Sequence, residues 1–510
     1  MKGNLMKEKM TNFRWMICSL LFFATTVNYL DRQVLSLTWK DFIAPEFHWT
    51  DNDYGTITAG FSLIYAFCNL FAGKFIDWLG TKRGYLWAIF IWSLAACLHA
   101  ACGWGTINLV DGVESVESLK AVQTGSALAL TVASVSVWLF LGCRAFLALG
   151  EAGNFPAAIK VTAEYFPKKD RAFSTSIFNA GTSVGALVAP ATIPLIAESC
   201  GWEMAFIIIG ALGFAWMGFW QFLYKKPSES PRVNAAELAY ISQDDSEEAA
   251  KGAAPAAAEE KGIPLWKCFT LRHTWSLVLG RFLTDGVWWF FLFWTPGYFS
   301  EQFGYKSSSG TGMALIITLY TIVTFVSIWL CKIPTYMVDK RGMNPYEGRM
   351  VAMFLFACFP LLALGAQPLG AYSAWWPAIL IGLACAGHQA WSANVYSVVG
   401  DMFPRSAIAT LVGIAQCAAG IGSFMVNKCA GALFSYSAGT TLVNGQEVEM
   451  TKELLASGAK FARPAMEFLG YTGKPAGYMI VFGYCAVAYV IGWICMKSLV
   501  PHYKKVVVSR

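Results

Sequence analysis

Arg144 and Glu151 stand seven residues apart in the apolar run Arg144-Ala-Phe-Leu-Ala-Leu-Gly-Glu151. Seven residues are nearly two helical turns, so on a helix both side chains share one face, roughly 10 Å apart along the axis. An ionised group at membrane depth costs roughly 2.5–3.5 kcal/mol on insertion scales, so such groups face a partner or a water-filled cavity. Two readings stay open. The pair is either a structural ion-pair network or the setting for a titrating Glu151, whose charge answers to burial and to a nearby arginine. Spacing alone leaves open which arginine Glu151 meets.

A second pair lies in Asn28-Tyr29-Leu30-Asp31-Arg32, ~25 Å along a helix that begins near Arg14. Asp31 and Arg32 either end that helix at an interface or sit within it. The apolar run from Val34 to Trp39 beyond them favours the second reading. A guanidinium grips a carboxylate through two parallel hydrogen bonds and keeps its proton, so Arg32 suits capture of an organic anion. Arg281 and Asp285 are four residues apart beside the aromatic run Trp288–Phe291, which reads mostly as packing or lipid contact. They form either a neutralised helix pair or a second proton site at Asp285.

Neutral polar residues suggest a further wall. His388, Trp391 and Asn394 recur every three residues, beside Gln389 and Ser392. Amides and an imidazole suit sugar hydroxyls, and an indole suits the apolar face of a sugar ring. Asn179 and Thr182, one turn apart, and Gln416 either join helices or line a cavity. Tyr65 shares a helix face with Phe61 and Asn69, as packing or as lining. The five histidines form no HxxxH or HExxH pattern and the 14 cysteines no CxxC, so no metal site, cofactor or disulfide framework is expected.

These residues need a membrane to hold them in place. Of the 510 residues, 56% are hydrophobic and 14% charged, the composition of a multi-span membrane protein embedded in a lipid bilayer. The net charge of +6 is no nucleic-acid signature, because the basic residues gather in short loops. About twelve spans are expected near 14–38, 53–77, 84–103, 128–158, 172–198, 203–224, 274–300, 310–338, 349–367, 373–400, 407–437 and 476–499. Lys82/Arg83, Lys168/Lys169/Arg171, Lys225/Lys226, Lys340/Arg341, Arg405 and Lys504/Lys505 fall in alternate connections, which puts both termini in the cytoplasm. The alternating loops hold mostly acids, including Asp51, Asp53, Glu447 and Glu449. The longer ones, 104–127 and 438–474, carry no assigned role.

The chain divides at an acidic, alanine-rich linker. Residues 1–224 form one six-helix half, 225–265 a cytoplasmic linker with helix around Asn234–Ile241, and 266–510 a second six-helix half. The halves echo one another. Glu164-Tyr-Phe-Pro167 matches Asp401-Met-Phe-Pro404, and counting back sixteen residues from each proline gives Gly150-Glu151 and Gly387-His388. Duplicated halves place a site near mid-membrane between them.

Gly73-Lys-Phe-Ile-Asp77-Trp-Leu-Gly80-Thr-Lys82-Arg83, weakly echoed by Tyr336–Gly342, resembles the loop motif of the major facilitator superfamily. Its usual aspartate-arginine step is Asp77-Trp78 here, a departure at the cytoplasmic gate. Within that superfamily Asn28–Arg32, Arg144…Glu151 and Gly387-His-Gln-Ala-Trp-Ser-Ala-Asn394 resemble the anion:cation symporters. With Arg281–Trp289 and Ile177–Thr182 they are most similar to bacterial hexuronate transporters. The resemblance implies a twelve-helix, all-α fold in two halves and proton-driven import of a sugar acid, glucuronate or galacturonate, across a bacterial inner membrane by a monomer. It implies that Arg32 binds the carboxylate and that Tyr29 and Tyr65 line the site. It further implies that Asp31 is protonatable and that Glu151 couples protons with Arg144 as its partner. Importers of an aldonate or aromatic acid are the alternative. An enzyme would need a nucleophile–base or metal set, and a sensor an appended signalling domain.

Overall fold

Twelve spans are arranged in two groups of six in the computed structural model, which describes residues 9–243, 265–403, 405–443 and 445–503. The first half holds α1 (Phe13–Thr38), α2 (Asp51–Leu79), α3 (Thr81–His99), α4 (Ala127–Glu151), α5 (Lys168–Cys200) and α6 (Trp202–Leu223). The second holds α7 (Arg272–Phe303), α8 (Gly310–Leu330), α9 (Pro345–Cys358), α10 (Trp375–Met402), α11 (Arg405–Ser437) and α12 (Lys474–Leu499). Most are long because the apolar run must cross ~30 Å of hydrocarbon; α9 has 14 residues, and its span continues through the 3-10 turns Phe359–Gly365 to Gly370.

Local chemistry sets many of the ends. Thr50 and Asp53 close a reciprocal capping box at the start of α2. Ser126, Ser309 and Asn344 accept backbone N–H groups at the starts of α4, α8 and α9. Gly80, at φ +76°, makes the turn between α2 and α3 that a side chain would strain. Helix α4 breaks just after Glu151 and resumes as Asn154–Tyr165, so the expected 128–158 span is two segments. In the linker, Asn234 caps the short helix Ala235–Ile241. Glu237 there accepts from the backbone N–H groups of Phe13 and Arg14 and pairs with the Arg14 guanidinium at 3.1 Å. The start of α1 and the linker therefore share one face, called here the termini face. The remainder of the expected linker, residues 244–264, and Lys504/Lys505 lie outside the described residues.

The far face is where the halves meet. Gly55 of α2 approaches Gly431 of α11 so closely that a Cβ on it would lie 2.9 Å from the Gly431 Cα. Lower on the same pair of helices, Ser423 donates to Ser62 at 2.9 Å. The loop 438–474, expected only as a long connection, folds into a three-stranded sheet of Thr440–Val443, Gln446–Glu449 and Phe461–Arg463, with a small hairpin at 467–472. Gly125, from the long loop of the first half, lies against Val443 and Val448 of that sheet.

Candidate functional site

Helix α1 carries Asp31 and Arg32 into the interior, where each is only 2% exposed. The Arg32 guanidinium reaches across to α4 and closes on Glu151, with Nη2 at 2.6 Å and Nε at 3.0 Å from the same oxygen, Oε2. Glu151 is fully buried and its other oxygen has no partner. Both Asp31 oxygens and the Arg144 Nη1 are buried without a hydrogen bond. Two cations and two carboxylates thus share one desolvated space, electrostatically coupled to one another. Burying unpaired charge is costly.

Arg32, rather than Arg144, is the arginine that meets Glu151. The reason is geometric. Seven residues along one helix hold Arg144 and Glu151 nearly two turns apart, whereas α1 crosses α4 at the level of Glu151. Arg144 instead lies over the Phe61 ring, its Cζ 5.4 Å from the centroid.

Aromatic rings enclose Arg32. Its Cζ stands 4.8 Å from the Tyr65 centroid, 4.9 Å from Trp289, 5.1 Å from Tyr29 and 5.8 Å from Phe61. Tyr29, Tyr65 and Trp289 keep partial exposure, so they form the open wall. Sequence reasoning had left Trp289 among packing and lipid contacts, because nothing in an unbroken aromatic run marks one ring as facing a cavity.

The second half builds a separate polar group. Arg281 pairs with Asp285 at 2.8 Å and donates to Ser392 at 2.6 Å and to Gln416 at 3.4 Å. His388 meets the Tyr489 hydroxyl through Nδ1 at 2.6 Å. That hydroxyl donates to the Thr284 carbonyl at 2.9 Å, so Nδ1 is the protonated nitrogen. Trp288 stacks on the imidazole at 5.2 Å. Trp391 is fully buried, edge-on to Tyr489 and against Gly492, and the Asn394 amide donates to its own helix at Ala390. The stripe therefore turns toward α12, away from the Arg32 group. Thr182 donates to the Asn179 carbonyl at 2.8 Å, and Asn179 is exposed.

The site is closed on the far side. Trp39, in a π-helical turn at the end of α1, stacks on Tyr54 at 3.8 Å, and Trp294 of the second half meets both edge-on. Tyr54 donates to the Phe293 carbonyl at 2.8 Å. Above this plug lies an ion network that the sequence reading missed. Lys474 sits 2.6 Å from Asp51, 2.7 Å from Glu449 and 2.8 Å from Glu301, and Lys40 lies 2.9 Å from Asp51 and 3.4 Å from Glu301. Lys40 and Lys474, placed among the acids of that face, were the available signal. Asp41 adds bonds to Ser300 and Ser307 across the same junction.

The loop motif sits toward the termini face. Asp77 pairs with Lys160 at 2.6 Å, and Lys82 donates to the Gln221 carbonyl at 2.9 Å, both within the first half. A Cβ added to Gly73 would meet nothing within 4 Å, and Arg83 is exposed.

The chain is 27% identical over 430 residues to the hexuronate transporter of Escherichia coli K12, an alignment covering 84% of this chain and 89% of that one. It is 27% identical over 299 residues to the galacturonate transporter of Dickeya chrysanthemi, covering 58% and 75%. In fold it matches the crystal structure of a D-xylose-proton symporter with a TM-score of 0.64 at 14% identity, covering 96% and 99%. The family model described as Major Facilitator Superfamily matches residues 21–426. With twelve spans in two halves and a buried charge cluster in the first half that meets Trp289 of the second, the chain belongs to the major facilitator superfamily and is a multi-pass membrane transporter, not an enzyme.

Proposed function

We propose that the protein imports a monovalent sugar acid, glucuronate or galacturonate, together with protons, by alternating access. The observation that carries this reading is the buried Arg32–Glu151 pair beside the unpaired Asp31. While Glu151 is ionised it occupies the Nε–Nη2 edge of Arg32, the edge that would grip a substrate carboxylate bidentately. A proton on Glu151 removes its charge and frees that edge. A proton on Asp31 removes the second buried negative charge, which lowers the cost of admitting an anion. Acid and proton therefore enter together. Loss of the protons on the other side lets Glu151 recapture Arg32 and displace the cargo.

In this reading the termini face is cytoplasmic, the membrane is a bacterial inner membrane, the closed far face is the external one, and the working unit is a monomer. Tyr29, Tyr65, Asn179, Thr182 and Gln416 belong to the substrate path. Asp285, held by Arg281, is the alternative to Asp31 as the second proton site. His388, Trp391 and Asn394 reach the cargo only if α10 and α12 separate during the cycle. The relatives named for hexuronate and galacturonate support the choice of cargo.

Proteoliposomes with an inward proton gradient should accumulate labelled hexuronate. Gradient-insensitive uptake overturns the coupling. Glu151→Gln should lose gradient-driven accumulation but keep counterflow, whereas a Glu151 needed only for folding would lose both.

A further inference from the structure

Along α7, every residue from Thr284 to Phe299 is buried except Trp289. Its indole is the one part of that stretch that reaches open space, and it does so beside Arg32, 4.9 Å from the guanidinium carbon. The ring is held from behind. Phe293 lies 5.3 Å away, one turn along the helix, and Phe61 and Tyr65 meet the indole edge-on at 6.4 and 6.3 Å. A tryptophan left partly exposed in an otherwise buried stretch, with a guanidinium against its ring, is placed to meet a ligand rather than to fill space. Trp391 is the contrasting case, with no exposure and with Tyr489 and Gly492 against it.

We propose that Trp289 is the platform on which the ring of the cargo stacks, and that it selects ring-bearing acids over open-chain ones. The inference rests on the reading that Arg32 receives a carboxylate. A carboxylate on the guanidinium edge lies about 3 Å from its nitrogens, which brings the atoms bonded to it under an indole already stationed over that guanidinium. In a pyranose acid those atoms belong to a closed ring whose C–H groups present a flat, weakly positive face to the negative π cloud. An open-chain acid offers the same carboxylate but no flat face, and pays rotamer entropy to lie flat. Trp289 also belongs to the second half while Arg32 and Tyr65 belong to the first. A ring between them would touch both halves at once, so cargo shape is read where the halves must move.

The test uses the full-length protein in lipid nanodiscs and calorimetric titration with glucuronate, with gluconate as an open-chain acid of equal charge, and with cyclohexanecarboxylate. Trp289→Leu should weaken glucuronate about tenfold or more and gluconate less than about threefold, while Trp289→Phe keeps glucuronate within about threefold. A structural role would move both acids together. Equal weakening of the two acids, or no weakening of either, overturns the assignment, as does a wild type that binds only the open-chain acid. If the wild type binds cyclohexanecarboxylate but no sugar acid, and the leucine variant loses it, the sugar-acid reading fails while the platform stands.

Discussion

Lys474 and Asp51 stand on opposite halves of the molecule, and the lysine Nζ lies 2.6 Å from the Asp51 carboxylate. The same nitrogen pairs with Glu301 and Glu449, so one cation ties the start of α12, the end of α7 and the sheet of the 438–474 loop to the first turn of α2. Breaking a buried pair from one side costs ~3–5 kcal/mol because the remaining charges stay desolvated. Lys474→Met should therefore unlatch the far face. Hydrogen exchange measured by mass spectrometry should rise about tenfold or more at 39–62 and 295–303, and Lys474→Arg should restore most of the protection. Unchanged exchange in the methionine variant would remove the network from the closure.

Glu449 gives the latch a pH dependence. Burial pushes its carboxyl up, Lys474 pulls it back, and Asp51 adds to the upward push, with a net rise. The sign follows from linkage. A carboxyl raised in the folded loop binds its proton more tightly there than in the undocked chain, so docking strengthens as pH falls toward that value. Between about pH 7 and about pH 5, exchange in 440–449, corrected for its intrinsic pH dependence, should slow. Glu449→Gln should flatten the response, and an unaltered response in that variant would assign it to another group.

The helices were legible in the sequence because a bilayer fixes the length of each apolar run, and charged residues inside such runs are rare enough to flag Arg32, Asp31, Arg144 and Glu151. Their pairing was not legible. Arg144 and Glu151 share a helix face, but the partner came from α1, 119 positions away along the chain. His388, Trp391 and Asn394 share a stripe, yet a period of three does not say whether that stripe faces a cavity or a neighbour. Tyr489 on α12, bonded to His388 and edge-on to Trp391, decides it. The latch needed residues 40, 51, 301, 449 and 474 to converge, which no local pattern records.

Arg32→Lys tests the fork itself. A lysine keeps the charge but offers a point donor in place of two parallel N–H groups, and loses the planar cation that the Tyr65 and Trp289 rings face. Acid binding should weaken about 10- to 100-fold, the scale of one charge-assisted bond. Thermal stability should change little, because a cation still faces Glu151. Binding within about threefold of wild type would show that charge alone suffices.

Charge counting gives the sharpest prediction for the cycle. Asp31, Arg32, Arg144 and Glu151 sum to zero when all are ionised, so the empty cluster is neutral. Protonating both carboxylates and adding one monovalent anion brings the loaded cluster to +1. Uptake should then be driven by an inside-negative potential, worth ~2.3 kcal/mol per charge at ~100 mV, or about fifty-fold in accumulation. Asp31→Asn fixes one site neutral and removes one of the two protons. The transported unit then carries no net charge, and accumulation should no longer respond to a potassium diffusion potential while still responding to the pH gradient. A wild type indifferent to the potential would show that only one of the two carboxylates carries a proton, and an asparagine variant that keeps its voltage response would show that Asp31 is not the second.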